Sequence, residues 1–191
     1  TVDLDGGQTI TLVVTPDSAL SPTVELFSPT NALMGAASAA AAGADAVLQT
    51  IATVGPGTYT FTIGGGAATT GSYVAEMFLN AAVEGEAYDG PSNDAILSAQ
   101  ALDGAAIALQ GSADRLAVLG VAEGASDYYS FTLAAGEAAS LSLTALDDGL
   151  LSLTLHDPAG TLVAIGLPGA TNVTESISDL VSATGGTYYA R

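Results

Sequence analysis

GQTITLVVTPDSALSPTVELFSPTNALMG, residues 7–35, lies without a gap over GEAASLSLTALDDGLLSLTLHDPAGTLVA, residues 136–164. The offset is 129 residues, and it puts Gly7 on Gly136, Leu12 on Leu141, Thr15 on Thr144, Leu26 on Leu155, Pro29 on Pro158 and Leu33 on Leu162. The same shift carries Gly57, Thr58 and Tyr59 of GTYTF (57–61) onto Gly186, Thr187 and Tyr188 of GTYYA (186–190). Residues 1–62 and 130–191 therefore read as two copies of one segment, so a structural reading of one copy is tested by the other.

Hydrophobic period sets the class. Val2 and Leu4, Ile10 and Leu12, Val24 and Leu26, and Leu151, Leu153 and Leu155 alternate with small or polar residues over short runs, the mark of half-buried strands. Turn clusters separate them: DGG at 5–7, SPTN at 28–31, GGG at 64–66 and DPAG at 157–160, the spacing of an antiparallel β-sandwich. GAASAAAAGADA (35–46) reads as helix on propensity alone. Its counterpart AIGLPGATNVTE (164–175) sets Pro168 and Gly169 opposite Ala39 and Ala40, where a helix interior would break. Both segments are expected to be a strand end followed by a loop, and the glycines at 64–66 a hairpin loop.

The chain divides into a repeat at 1–83, an acidic linker at 84–92 and a second repeat at 93–191. With a 129-residue period, about one and a half copies fit. The first copy is expected to lack its N-terminal strands, the counterparts of 91–129, and the second its C-terminal strand, the counterpart of SYVAEMFL (72–79). Missing strands leave an open sheet edge; either the chain is a window cut from a longer array of repeats, or neighbouring chains complete each other's sandwiches by strand addition.

The formal charge is −18, from 20 Asp and Glu against two arginines, Arg115 and Arg191, with no lysine. Nucleic acid is a poor partner, because phosphate binding needs clustered Lys and Arg, and an anionic membrane surface would repel the chain. The most apolar region, 104–122, is interrupted by Gly111, Asp114, Arg115 and Gly120, which argues against membrane insertion. Cysteine is absent, so no disulfide, thiolate nucleophile or thiolate metal site exists. Hydrophobic residues make up 49%, ample for a buried core.

Catalytic patterns are lacking. The one histidine, His156, has Phe27 as its repeat mate, which points to a ring packed at a strand end and not to a general base. Asp147 and Asp148 read as turn residues, and Asp3 and Asp5 have the mates Thr132 and Ala134, which discounts them as a repeated cation loop. EGEAYDGPSND (84–94) stands apart, with Glu84, Glu86, Asp89, Asn93 and Asp94 in one short run. Calcium takes about six to eight oxygens from carboxylates, amide carbonyls and backbone, and this segment is rich in them; the plain alternative is an acidic, solvated linker.

The run NDAILSAQALDG, then LAVLGVAEGASDYYSFTLAAGEAASLSL, then LTLHDPAGTLVA, then GTYYAR resembles the bacterial pre-peptidase C-terminal (PPC) domain. The resemblance covers 93–191 and much of 1–80. It implies a jelly-roll-like sandwich, here in tandem, that is non-catalytic and belongs to secreted or cell-surface bacterial proteins. In calcium-binding relatives an E-x-E then N-D linker and the aspartate before the Y-x-F strand hold the metal. Carried onto this chain, those positions are Glu84, Glu86, Asn93, Asp94 and Asp127.

These readings favour a structural or adhesive building block of a surface protein or filament, with neighbouring repeats or copies of itself as partners and calcium stiffening the joint. The alternative is a targeting module that holds an extracellular polysaccharide or fibrous protein near a linked hydrolase. Polymer-binding faces use exposed aromatic platforms, and the absence of tryptophan leans toward the first.

Overall fold

The structure, a computed structural model, describes residues 1–122, 126–147, 150–170 and 172–191. The protein is all-β, with short 3-10 turns the only helical segments among the described residues. It forms two compact units: Thr1–Pro91 with Gly104–Val121, and Ser92–Asp103 with Ala122–Arg191. Residues 104–121, which the sequence division places in the second repeat, group with the first unit.

In the first unit the strands are β1 (Val2–Leu4), β2 (Thr9–Pro16), β3 (Pro22–Phe27), β4 (Leu33–Ser38), β5 (Ala46–Ala52), β6 (Gly57–Gly65), β7 (Tyr73–Leu79) and β8 (Ala82–Val83). A short β9 (Gln100–Ala101) belongs to the second unit, and β10 (Ile107–Ala108), β11 (Asp114–Arg115) and β12 (Val118–Leu119) return to the first. One sheet runs β1-β6-β3-β4 and another β5-β2-β7, all antiparallel. Leu4, Val24, Leu26 and Tyr59 of the one meet Ile10, Leu12, Val14, Ala46 and Leu48 of the other in a shared core, which makes a β-sandwich. Each large apolar side chain fully buried there contributes about 1.5–3 kcal/mol.

The second unit holds β9, β13 (Tyr129–Leu133), β14 (Ala138–Leu143), β15 (Thr154–His156), β16 (Leu162–Ile165), β17 (Leu167–Pro168), β18 (Glu175–Val181) and β19 (Gly186–Ala190). Its sheets are β16-β15-β19-β13-β9 and β14-β18-β17. Leu133, Leu155 and Tyr188 of the larger sheet share a core with Ile177 of the smaller, Leu153 beside them.

Four ladders of the first unit recur in the second at the 129-residue offset, residue for residue. Val2 pairs with Tyr59 as Phe131 does with Tyr188, and Leu12 with Leu48 as Leu141 does with Ile177. Leu26 pairs with Gly35 and Phe61 as Leu155 does with Ala164 and Ala190. Even the irregularities repeat. A bulge between Ile10 and Leu12 puts Thr50 at positive φ with its amide on Thr11 Oγ1; the bulge between Ala139 and Leu141 does the same to Asp179 and Ser140. The turns agree too: the side chain of Ser28 accepts the amides of Thr30 and Ala32, and that of Asp157 accepts those of Ala159 and Thr161.

The alanine-rich stretch 35–46 finishes β4, turns, and starts β5 without a helix. Two expectations are corrected. The glycines at 64–66 do not make a hairpin, because β6 pairs with β3 while β7 pairs with β2 in the other sheet. The chain doubles so tightly there that a Cβ on Gly65 would collide with the Thr69 carbonyl. Leu151 and Leu153 precede β15, because the Leu153 amide is taken by the Glu175 carboxylate at 2.6 Å. Asp148, one of the expected turn residues, lies outside the described residues.

Candidate functional site

The residues named as calcium ligands fall in both units, Glu84 and Glu86 in the first and Asn93, Asp94 and Asp127 in the second. Glu84 follows β8, which pairs in parallel with β12. Its amide donates to the Leu119 carbonyl, and its buried carboxylate accepts the Val121 amide, both at 2.8 Å. That carboxylate closes the end of the parallel pair, a structural task for one of its oxygens. Glu86 is exposed at the start of a 3-10 turn, Glu86–Tyr88. The amides of Tyr88 and Gly90 both donate to the Gly85 carbonyl there, and Asp89, at φ 61°, accepts the Asp45 amide.

In the second unit, Asn93 is buried and its carbonyl accepts the Tyr128 amide at 2.8 Å. That bond lays the backbone of 93–94 beside that of 127–128. Asp94 is exposed, with its carboxylate accepting the Ser92 hydroxyl, and Asp127 is half-buried. Amide and carboxylate oxygens are the donor types a hard cation takes. Among the described residues, no three His, Asp or Glu side chains gather as a metal group.

His156 ends β15. Its ring nitrogens lie 3.3 Å from Thr154 Oγ1 and from the Gly160 carbonyl, and its ring is 6.1 Å from that of Tyr128. The imidazole braces the DPAG turn.

A second feature lies at the rim of the smaller sheet of the second unit. β2 is central, flanked by β5 and β7, and its Ile10, Leu12, Val13 and Val14 are at most 2% exposed. β14 holds the equivalent place beside β18, yet among the described residues it has no second neighbour. Ala139, Leu141 and Leu143 on its core side are half-buried, and Ser140 and Ser142 are exposed. The Leu143 carbonyl accepts the Thr174 amide from the β18 side, so by antiparallel alternation the backbone groups of Ser142 face the open edge. On β2 that side belongs to β7, with the Asn80 amide on the Thr9 carbonyl and the Asp17 amide on the Ser72 carbonyl. In sequence the difference between the two strands is the change from Thr11 and Val13 to Ser140 and Ser142, which leaves the outer face polar.

No protein-family model and no curated protein matches this chain.

Proposed function

We propose that the chain is a non-catalytic β-sandwich repeat of an extracellular or surface bacterial protein, a structural and adhesive building block whose partners are neighbouring repeats or copies of itself. The observation that carries this reading is what the repeat keeps. Ladders, bulges, turns and the buried tyrosine recur at the offset, while reactive side chains do not: His156 stands on Phe27, Asp3 on Thr132 and Glu25 on Thr154. Repetition of scaffold without repetition of chemistry suits a load-bearing brick. The extracellular, bacterial setting comes from the resemblance to PPC domains.

Calcium enters this reading through Asn93, Asp94 and Asp127, with backbone carbonyls and water completing its shell. Bound there, it would stiffen the segment that leads into the second sandwich.

The test is to stretch the full chain by its ends and, separately, to incubate it with insoluble polysaccharides and fibrous proteins. A brick resists extension in two discrete unfolding steps and is not retained. Saturable retention, or extension without resistance, would replace this reading with that of a targeting module.

A further inference from the structure

We infer that the outer edge of β7 is a contact between two copies of this chain, in which the two β7 strands pair antiparallel about a two-fold axis at Met77. The inference rests on the reading of the chain as a self-associating repeat and names one surface through which it acts.

β7 pairs with β2 on one side, and among the described residues nothing pairs with the other. The segments that follow it pair elsewhere, β8 with β12 and β10 with β11. In the second unit the strand that leads into the repeat, β9, pairs with β13, which holds the mate of β1, and so belongs to the other sheet. The repeat therefore assigns no strand to this edge. The Asn80 amide donates to the Thr9 carbonyl and the Ser72 carbonyl accepts the Asp17 amide, so the even-numbered residues of β7 bond to β2. By alternation, Tyr73, Ala75, Met77 and Leu79 turn their amides and carbonyls outward.

The edge is apolar and weakly guarded. Sheet edges usually discourage pairing with lysine, proline or an inward charge. YVAEMFL has Glu76 alone, opposite Val13 on the side away from the core. Every β7 residue except Phe78 is exposed, Val74 to 62% and Met77 to 37%. A bare apolar strand of this kind is the substrate of strand addition.

Glu76 chooses the register. The antiparallel registers that keep most of the strand paired are centred on Ala75, Glu76 or Met77. A centre at Glu76 sets two carboxylates directly opposite, which destabilises the pair. A centre at Ala75 puts Glu76 of the second copy opposite Val74, toward the Asp17 carboxylate that holds Ser72. A centre at Met77 puts it opposite Phe78, toward Asn80, whose carbonyl accepts the Arg115 guanidinium at 3.2 Å. Arg115 is the one Lys or Arg of the first unit, so this register alone brings the acid toward a cation. Ala75 then lies against Leu79, and Met77 against its own copy. The contact is isologous, closes at two molecules and joins two β5-β2-β7 sheets into one of six strands.

The experiment uses the full chain, which has no cysteine. Its mass in solution is followed over a wide dilution range, and the variants Met77→Cys and Val74→Cys are oxidised mildly. Opposite residues of a hydrogen-bonded antiparallel pair have Cα atoms about 5.5 Å apart, within disulfide reach. Val74 would face Asn80 instead. A dimer that grows with concentration, and cross-linking severalfold faster in Met77→Cys than in Val74→Cys, supports the inference. Ala75→Pro removes an outward amide without touching the β2 ladder and should abolish the dimer. Met77→Glu, at an exposed position, sets a charge against its own copy; it should keep the wild-type circular dichroism and weaken association severalfold, which keeps the test decisive if the proline variant misfolds. A monomer at every concentration would overturn the inference, as would cross-linking no faster at position 77 than at 74, or association indifferent to Met77→Glu. Retention on polymer by an intact dimer would sink the functional reading alone, and a monomer that still resists extension in two steps without retention would sink this contact alone.

Discussion

The hydroxyl of Tyr59 donates to the Gly55 carbonyl at 2.8 Å, four residues upstream, and accepts the amides of Val54 and Gly55 at 3.0 and 3.3 Å. This tyrosine pins β6 to the corner that leads into it, as in other β-sandwiches. Tyr188, its mate, is also buried, but its hydroxyl meets the Ser182 hydroxyl at 3.0 Å instead. Replacing Tyr59 by Phe orphans several partly buried backbone groups and should cost about 1–3 kcal/mol, whereas Tyr188→Phe leaves Ser182 its bond to the Gly185 amide and should cost about 1 kcal/mol or less. Urea unfolding of the two variants checks the order; equal losses would show that the corner bonds carry no weight.

Gly57 and Gly186 open the final strand of each copy at φ 148° and 132°, and a Cβ at either would lie 2.8 Å from Cγ of Pro29 or Pro158. Both the left-handed backbone and the proline contact exclude a side chain. Alanine at either position should cost about 1–3 kcal/mol, with the contact adding to the strain. A loss of a few tenths at both sites, read from the denaturation midpoint, would contradict this.

Leu12 and Leu141 are mates with different surroundings: Leu12 is buried in the core on a central strand flanked by β5 and β7, and Leu141 is half-buried on β14, which pairs with β18. Leu12→Ala should cost about 2–5 kcal/mol, and Leu141→Ala clearly less, since its site can relax toward solvent. Urea unfolding of the two variants reads the difference; equal losses would contradict it.

Asp17 accepts the Ser72 amide at 2.7 Å, the Ala19 amide at 3.0 Å and the Ser72 hydroxyl at 2.9 Å. These bonds, the Ser72 amide foremost, hold its carboxyl below the usual 3.8. With the folded value depressed, the contribution is complete above the unfolded value and is lost as pH falls through the folded one. The Ser72 amide resonance should therefore titrate with a midpoint below 3.8, and β7 should loosen with it. A midpoint at or above that value would remove the argument.

Added calcium should raise the thermal midpoint, because a ligand that binds only the folded chain stabilises it by mass action. Asp94→Asn and Asp127→Asn should abolish that increment. Glu84→Gln should lower the midpoint with or without the metal, since its carboxylate braces Val121. An unchanged midpoint after chelation and re-addition would dispose of the cation.

The sequence by itself determined most of the strands and turns and the equivalence of the two copies, because alternation and turn chemistry are local; the glycines at 64–66 and the pair Leu151 and Leu153 are the exceptions. Alternation places Leu26 or Leu155 inward, Gly7 and Gly160 occupy left-handed turns, and an ungapped offset cannot shift one copy by a residue without turning its core side outward. Only the tertiary structure decided where β7 pairs, that 104–121 group with the first unit, and that Glu84 is a brace. The physical reason is range. Strand period says which side of a residue is buried but not which distant edge its backbone will meet, and a carboxylate has the same spacing in sequence whether it faces water, a metal or a peptide amide.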